Sequence, residues 1–487
     1  MTTKLKSDEA CKKPRSTLPV GISLLCLLGA LLSVVALQVL IEPQPASFTV
    51  FFILYLSSLW IGATLDKSGD ILSPYFSGLV MYSLYICSAL MSVVIGSPGS
   101  FQESTVHTYY LAALTGLWGL IFGFRWGYRN SKQGLLRVIS YRQIIVNDNR
   151  FGRLLILASL AIISILLVNY EQLWTIVTPT AYTSIASEKR VAMAADTWGG
   201  IRSYFNTVLS SMLIATSIFW GIRKRSTAIR TTIGSLLVIF LLYRVMVGDK
   251  GGVLYFSFLL LSYFHYRVRS VKLHHLLLPA LLLYTFATML NHVRYTTHIP
   301  TMASAAIELI SENPTILLPS NSGELSGPPK TLLVIIDAVD KGDLKISWGR
   351  TLISELLTCI PRSVFPNRPL PLSQEYMYIF YWDDLEEGKG HGFFIPTEGY
   401  WAFGIPGVFI LMAGFGASLA LLYRFYSVNR SSDALFLLYT LAVFTLAFTG
   451  IRTGLIGSLR GTLMVIAPLF IPLVLSVREV RLTQPHG

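Results

Sequence analysis

Charged side chains that interrupt long apolar runs are the residues in this sequence that could do chemistry. The stretch "PTEGYWAFGIPG" (396–407) sets Glu398 at the mouth of one such run, among Tyr400, Trp401, Phe403, three glycines and Pro406. A carboxylate placed there can act as a base or orient an arginine. It can equally begin a helix and complement its dipole. Upstream, "CIPRSVFPNRPLP" (359–371) holds Arg362 and Arg368 between prolines. A rigid guanidinium fork suits bidentate capture of phosphate or carboxylate, and loop packing is the plainer alternative.

Further cations follow the same pattern. "YRVMVGDKGGVLYF" (243–256) reads as an apolar run reversing at Gly-Asp-Lys-Gly-Gly, which aims Lys250 at a membrane-level pocket. "LNHVRYTTHIP" carries Arg294 between His292 and His298. "GIRTGLIGSLRG" carries Arg452 and Arg460, and an earlier outer loop carries Lys189, Arg190 and Arg202. His391 lies in a glycine-flanked loop after the acidic run Asp383–Glu387, which reads as solvated. For Lys250 the alternative is a hairpin turn with Asp249 and Lys250 paired in water; for Arg294, Lys189, Arg190, Arg202, Arg452 and Arg460 it is interfacial anchoring by snorkelling stems. Ionisable groups at membrane depth are costly, so those retained are functional candidates. Cations at that depth suit a lipid-linked phosphate or pyrophosphate, and aromatic faces such as Tyr400 and Trp401 suit sugar rings.

The elements that must position these residues are apolar and long. The chain has 487 residues, 53% hydrophobic and only 13% charged, with a mean hydropathy of +0.58. A soluble domain of this length would carry about 25% charged residues. The composition predicts an all-α polytopic integral membrane protein with about twelve transmembrane helices and one large outer loop containing short helices. The first apolar run, near 18–41, is too long for a signal-peptide core and reads as a signal anchor. A short N-terminal tail (1–17) precedes a membrane domain of about nine spans (18–292). The large outer loop (293–398), about three further spans (399–477) and a C-terminal tail (478–487) follow. With both tails placed inside, the inner segments hold 24 of the 39 lysines and arginines and 7 of the 26 acids, the positive-inside pattern. The basic balance therefore needs no nucleic acid, and no nucleic-acid module is present.

Within the inner loop, 129–150 suits an interfacial helix. In the outer loop, "TMASAAIELISE" (301–312) and "WGRTLISELLTCIP" (348–361) have helical spacing, and "NSGELSGPPK" (321–330) reads as a loop. "TLLVIIDAVD" (331–340) reads as a packed or re-entrant segment, and the proline-rich 363–376 reads as extended. The whole loop reads as a cap. No phosphate-cradling loop, zinc spacing or cysteine framework appears, and only Cys359 falls in the long outer segment. Chemistry, if any, belongs on the outer face, on a substrate that arrives already activated.

From about residue 150 onward the sequence resembles the bacterial oligosaccharide repeat-unit polymerases, the Wzy-type or O-antigen polymerase family. "IPRSVFPNRP" is similar to that family's proline-arginine stretch in the large periplasmic loop. "PTEGYWAFGIPGVFILMAGFG" is similar to its Glu-aromatic-(Asn/Ala)-Phe-Gly-x-x-Gly approach to the next span, with Ala402 where Asn is usual. "VGDKGG" stands where Gly-Ser-Arg-Gly is usual, so Lys250 replaces an arginine. The resemblance implies polymerisation of undecaprenyl-pyrophosphate-linked oligosaccharides at the periplasmic face of the inner membrane, alongside a flippase and a chain-length co-polymerase. It implies no nucleotide, metal or other cofactor. On this reading Glu398 or His391 takes the acceptor proton. Arg362, Arg294, Arg368 and Lys250 hold the pyrophosphate, and Arg190 and Arg202 hold the second substrate. An O-antigen ligase and a lipid-linked oligosaccharide flippase or transporter are the rival readings. A ligase calls for a histidine motif in the large loop, where His391 is the only histidine after His298. A transporter calls for charges near the midplane and balanced repeats.

Overall fold

The structure, a computed structural model, describes residues 46–64, 70, 72–91, 101–130, 142–168, 250–271, 323–360, 364–386 and 390–482, with a few isolated positions between. These residues are mostly helical. The helices are α1 (Ala46–Thr64), α2 (Pro74–Met91), α3 (Glu103–Asn130), α4 (Asp148–Val168), α5 (Lys250–Tyr263), α6 (Gly323–Asp340), α7 (Arg350–Leu357), α8 (Leu372–Phe380), α9 (Trp382–Glu386), α10 (Ile395–Val428), α11 (Asp433–Val443) and α12 (Leu455–Val474). A π-helical turn, Phe264–Val268, extends α5, and a second, Phe444–Thr449, extends α11. Strands β1 (Arg142–Val146) and β2 (Val477–Leu482) form one antiparallel pair.

Among the described residues, three helical stretches are long and apolar enough to cross a membrane: Ile395–Val428, Asp433–Arg452 and Leu455–Val474. They lie where hydropathy places the last three spans. Helices also occupy the places expected for the second to fifth spans and most of the eighth.

A seam of small residues holds α10 to α3. Gly119, Gly123 and Gly127 recur every four residues on α3, so they share one face. A Cβ on Gly123 would fall 1.9 Å from the Ala413 carbonyl oxygen, and one on Gly416 would fall 2.4 Å from the Leu120 carbonyl oxygen. The backbones therefore touch. Lipid supplies no hydrophobic drive between helices, so this close contact is how membrane helices gain packing energy. Aromatic side chains fill the space around the seam, with Tyr82 donating to the Ala113 carbonyl and Tyr75 to the Gly62 carbonyl.

Polar groups gather at the two ends of α10. At one end, the Ile144 amide donates to Asn429 Oδ1 at 2.8 Å, and Asp148 accepts from Ser432 and the Ala434 amide. Arg267 pairs with Asp433 at 3.2 Å, and Tyr266 donates to Asp70 at 2.9 Å. The strand pair lies here, since the Asn147 amide donates to the Ser476 carbonyl. At the other end, Thr105 donates to Asp340, and Ser347 and Gly349 donate to the carbonyls of Trp401 and Ala402.

Several local expectations need correction. Residues 142–146 are a strand, not part of an interfacial helix, because the C-terminal tail supplies a partner strand. "GELSGPPK" belongs to α6 rather than to a loop. Pro328 and Pro329 are the sixth and seventh residues of this helix, so each removes one backbone bond to the turn before it. Residues from Leu372 are helical, not extended, because Pro371 stands just before the helix and ends the proline run. Lys250, Gly251 and Gly252 form the first turn of α5 rather than a reversal.

Candidate functional site

Glu398 sits in the first turn of α10 and is 0% exposed. Its Oε2 accepts the Leu455 amide at 2.5 Å, and the carboxylate also accepts the Ile456 amide. These are the first free N–H groups of α12, which have no partner inside their own helix. Glu398 thus caps a helix, but α12 rather than its own. Gly454 allows this approach: its φ is +78°, and a Cβ there would lie 2.9 Å from Glu398 Oε2. The second oxygen, Oε1, is buried with no hydrogen-bond partner among the described residues.

The glycines around Glu398 build an elbow. Phe403 (φ −144°, ψ 18°) and Gly404 (φ +68°, ψ −150°) leave helical geometry, so α10 consists of a short arm, 395–402, and a long arm, 405–428. At about 1.5 Å per residue the long arm rises about 36 Å, enough for a hydrocarbon core of about 30 Å. The arms fold onto each other: a Cβ on Gly407 would lie 2.1 Å from the Gly399 carbonyl oxygen. Pro406 has no N–H to give the Ala402 carbonyl, and the break at Phe403 frees that of Trp401. The amides of Gly349 and Ser347 take these two acceptors at 3.2 and 2.9 Å. The elbow thereby anchors the segment that carries α7.

From α7 a second acid, Glu355, enters the same place. It is buried, and its Oε2 accepts the Leu372 amide at 2.7 Å, capping α8. Its Oε1 lies 3.5 Å from an Arg460 nitrogen, and Gly457 on α12 leaves room for it. Arg460 also donates to the Thr358 hydroxyl. Burial pushes the Glu355 carboxyl above its ordinary value, opposed by the Leu372 amide and by Arg460. Glu355 and Glu398 are close enough for their charges to repel.

The structure brings Glu398, Arg368 and Arg460 together at this end, with Arg452 two residues before Gly454. Arg368 donates to the carbonyls of Thr358 and Ile360 at 2.6 and 2.9 Å, a cation on the C-terminal end of α7. The Arg452 carbonyl accepts the Phe393 amide at 2.7 Å. Tyr400 and Trp401 are both buried in the core. They pack the elbow rather than line an open wall. His391 Nε2 lies 3.0 Å from Asp384 Oδ2, and its ring stacks on Tyr381. Asp384 is therefore bonded rather than simply solvated. Arg362, Arg294, Arg190 and Arg202 lie outside the described residues, as does the Lys250 side chain.

Glu355 is the functional candidate that reading the sequence missed. The one available signal is that it is the only acid in the helix "RTLISELL". Chemically, the cluster offers two buried carboxylates, one with a free acceptor oxygen, beside a guanidinium. It can hold a proton at one oxygen and an anion at the arginine. No family model, curated protein or solved structure matches the chain.

Proposed function

We propose that the protein is a membrane-embedded glycosyltransferase that polymerises undecaprenyl-pyrophosphate-linked oligosaccharide repeat units into a surface polysaccharide. The proposal includes about twelve spans in the bacterial inner membrane, cytoplasmic termini and a periplasmic active face. A flippase and a chain-length co-polymerase would be its partners. The observation that carries it is the unpartnered oxygen of Glu398, near Glu355 and the Arg460 that pairs with Glu355, at the end of α10 against which α6 and α7 pack.

The acceptor hydroxyl oxygen attacks the anomeric carbon of the donor sugar. The carbon–oxygen bond to pyrophosphate breaks, and the pyrophosphate leaves with the electron pair. The acceptor proton passes to Glu398 Oε1, a general-base role. Arg460, with Arg362, Arg294 and Arg452, stabilises the leaving charge. Glu398 is fully buried, so the sugar must displace part of the segment above it to reach the oxygen.

A strain of the source bacterium lacking this gene provides the test. Its surface polysaccharide is resolved on a gel with and without the restored gene. Collapse of the ladder to a single repeat unit, reversed by the gene, is the expected result. Unattached long chains would indicate a ligase. Complete loss of polymer with lipid-linked units trapped inside would indicate a flippase.

A further inference from the structure

Helix α7 is amphipathic in the inverse sense. Its buried positions are polar: Thr351 at 2% exposure, Glu355 at 5%, and Thr358 just beyond its end at 2%. Those positions recur at helical spacing and face the site described above. Arg350, at its N-terminus, is exposed and charged; beyond it the outward positions are apolar: Ile353 is 62% exposed, Leu356 56% and Ile360 36%. A helix lying on a protein in water turns these faces the other way. The chain around it continues the pattern, for Trp348, Val364 and Phe365 are all exposed. Contiguous apolar surface of this kind marks an interaction site.

The neighbouring helix identifies the occupant. Glu355 of α7 meets Gly457 and Arg460 of α12, so the two helices are in contact. Helix α12 is long and apolar enough to cross a membrane. Its Leu459, Leu463 and Met464 are exposed along the flank that adjoins this contact. The outward face of α7 is therefore continuous with a surface built to meet hydrocarbon.

We infer that α7 lies in the outer leaflet of the bilayer, with Ile353, Leu356 and Ile360 against lipid and Thr351, Glu355 and Thr358 turned inward. The segment that reads in sequence as a cap is thus, at α7, a wall between lipid and the buried carboxylates. This rests on the membrane assignment of α12 and, for the choice of leaflet, on the orientation proposed above, and not on the polymerase activity.

The test uses the full-length protein in vesicles of phosphatidylethanolamine and phosphatidylglycerol, with native cysteines replaced by serine. Nitroxide labels are placed by Ile353→Cys, Leu356→Cys, Leu463→Cys on α12 and Asn367→Cys on the exposed loop. Collision with oxygen and with a water-soluble nickel chelate is measured at each. The inference predicts that labels at 353 and 356 match 463, with high oxygen and low nickel accessibility, whereas 367 shows the reverse. Nickel accessibility at 353 and 356 equal to that at 367 would overturn it. Shielding of 353 and 356 from both reagents would overturn it too, by showing a protein partner on this face. Nickel access at 463 would remove its premise and overturn it with the membrane assignment, while the gel assay for polymerisation would keep its own outcome. Should the label at 356 prevent accumulation of the protein, Ile360→Cys replaces it with the same expectation.

Discussion

Gly407→Ala tests the elbow on which the site depends. The new Cβ would sit 2.1 Å from the Gly399 carbonyl oxygen and 3.0 Å from the Phe403 Cβ. Carbon and oxygen atoms do not approach within about 3 Å, so the arms must separate by about 1 Å. The obstruction is backbone and cannot swing aside. Separation moves Glu398, in the short arm ahead of Phe403, away from the first amides of α12. Overpacking of this kind costs roughly 1–3 kcal/mol, sometimes more. Loss of the Glu398 cap adds about 1 kcal/mol. Gly461→Ala is the internal control, because nothing lies within 4 Å of its Cβ. Alanine is favoured over glycine in a helix by about 1 kcal/mol. The assay is apparent Tm of the purified protein in one detergent, with membrane abundance measured in parallel. The expected result is a clear fall for Gly407→Ala and no fall for Gly461→Ala. Equal Tm values for Gly407→Ala and the unaltered protein would refute the elbow.

Three further outcomes follow from the same contacts. Because burial raises the Glu355 carboxyl, the folded state holds its proton over a range where the unfolded chain has lost it. Stability is then greater below the ordinary carboxylate value and falls as pH rises through the raised one. Glu355→Gln should flatten that fall in Tm measured between about pH 4 and pH 7, and an unchanged slope would count against it. Asn429→Ala removes the acceptor for the Ile144 amide and should lower Tm through a loss of about 1–3 kcal/mol; an unchanged Tm would show that water replaces it. Gly349→Ala combines a φ of +87° with a Cβ 2.8 Å from the Phe403 ring. It should loosen α7 and raise proteolysis after Arg350 without changing membrane insertion; unchanged proteolysis would argue against the anchor.

How much of this was legible in the sequence depended on how local the signal is. Hydropathy is a property of a short window, so the three described helices long and apolar enough to cross a membrane lie where composition places them. The site was legible in part. Glu398 stands out as a charge at the mouth of an apolar run, and capping was foreseen as its alternative role. That it caps α12 was not legible, since Leu455 is 57 residues away. Arg368 was legible as a rigid arginine, but its carbonyl acceptors depend on how α7 ends. The pairing of "RQIIV" with "VREVRL" spans most of the chain and leaves no local mark. Gly399 and Gly407 stand out in the sequence only as glycines near Glu398. Their partner proved to be each other, which needs the break at Phe403 and Gly404.

The central claim is that Glu398 serves the reaction through its free oxygen while its other oxygen caps α12. Glu398→Gln separates these roles, because the amide oxygen can still accept from Leu455 while the side chain can no longer take a proton. The decisive measurement is the length of surface polysaccharide on a gel from the deletion strain carrying this variant, with its membrane abundance checked. The account predicts normal abundance and loss of long chains, in line with the roughly 10²–10⁴-fold contribution of a general base. Long chains of normal length and amount would contradict it, leaving Glu398 as a cap alone.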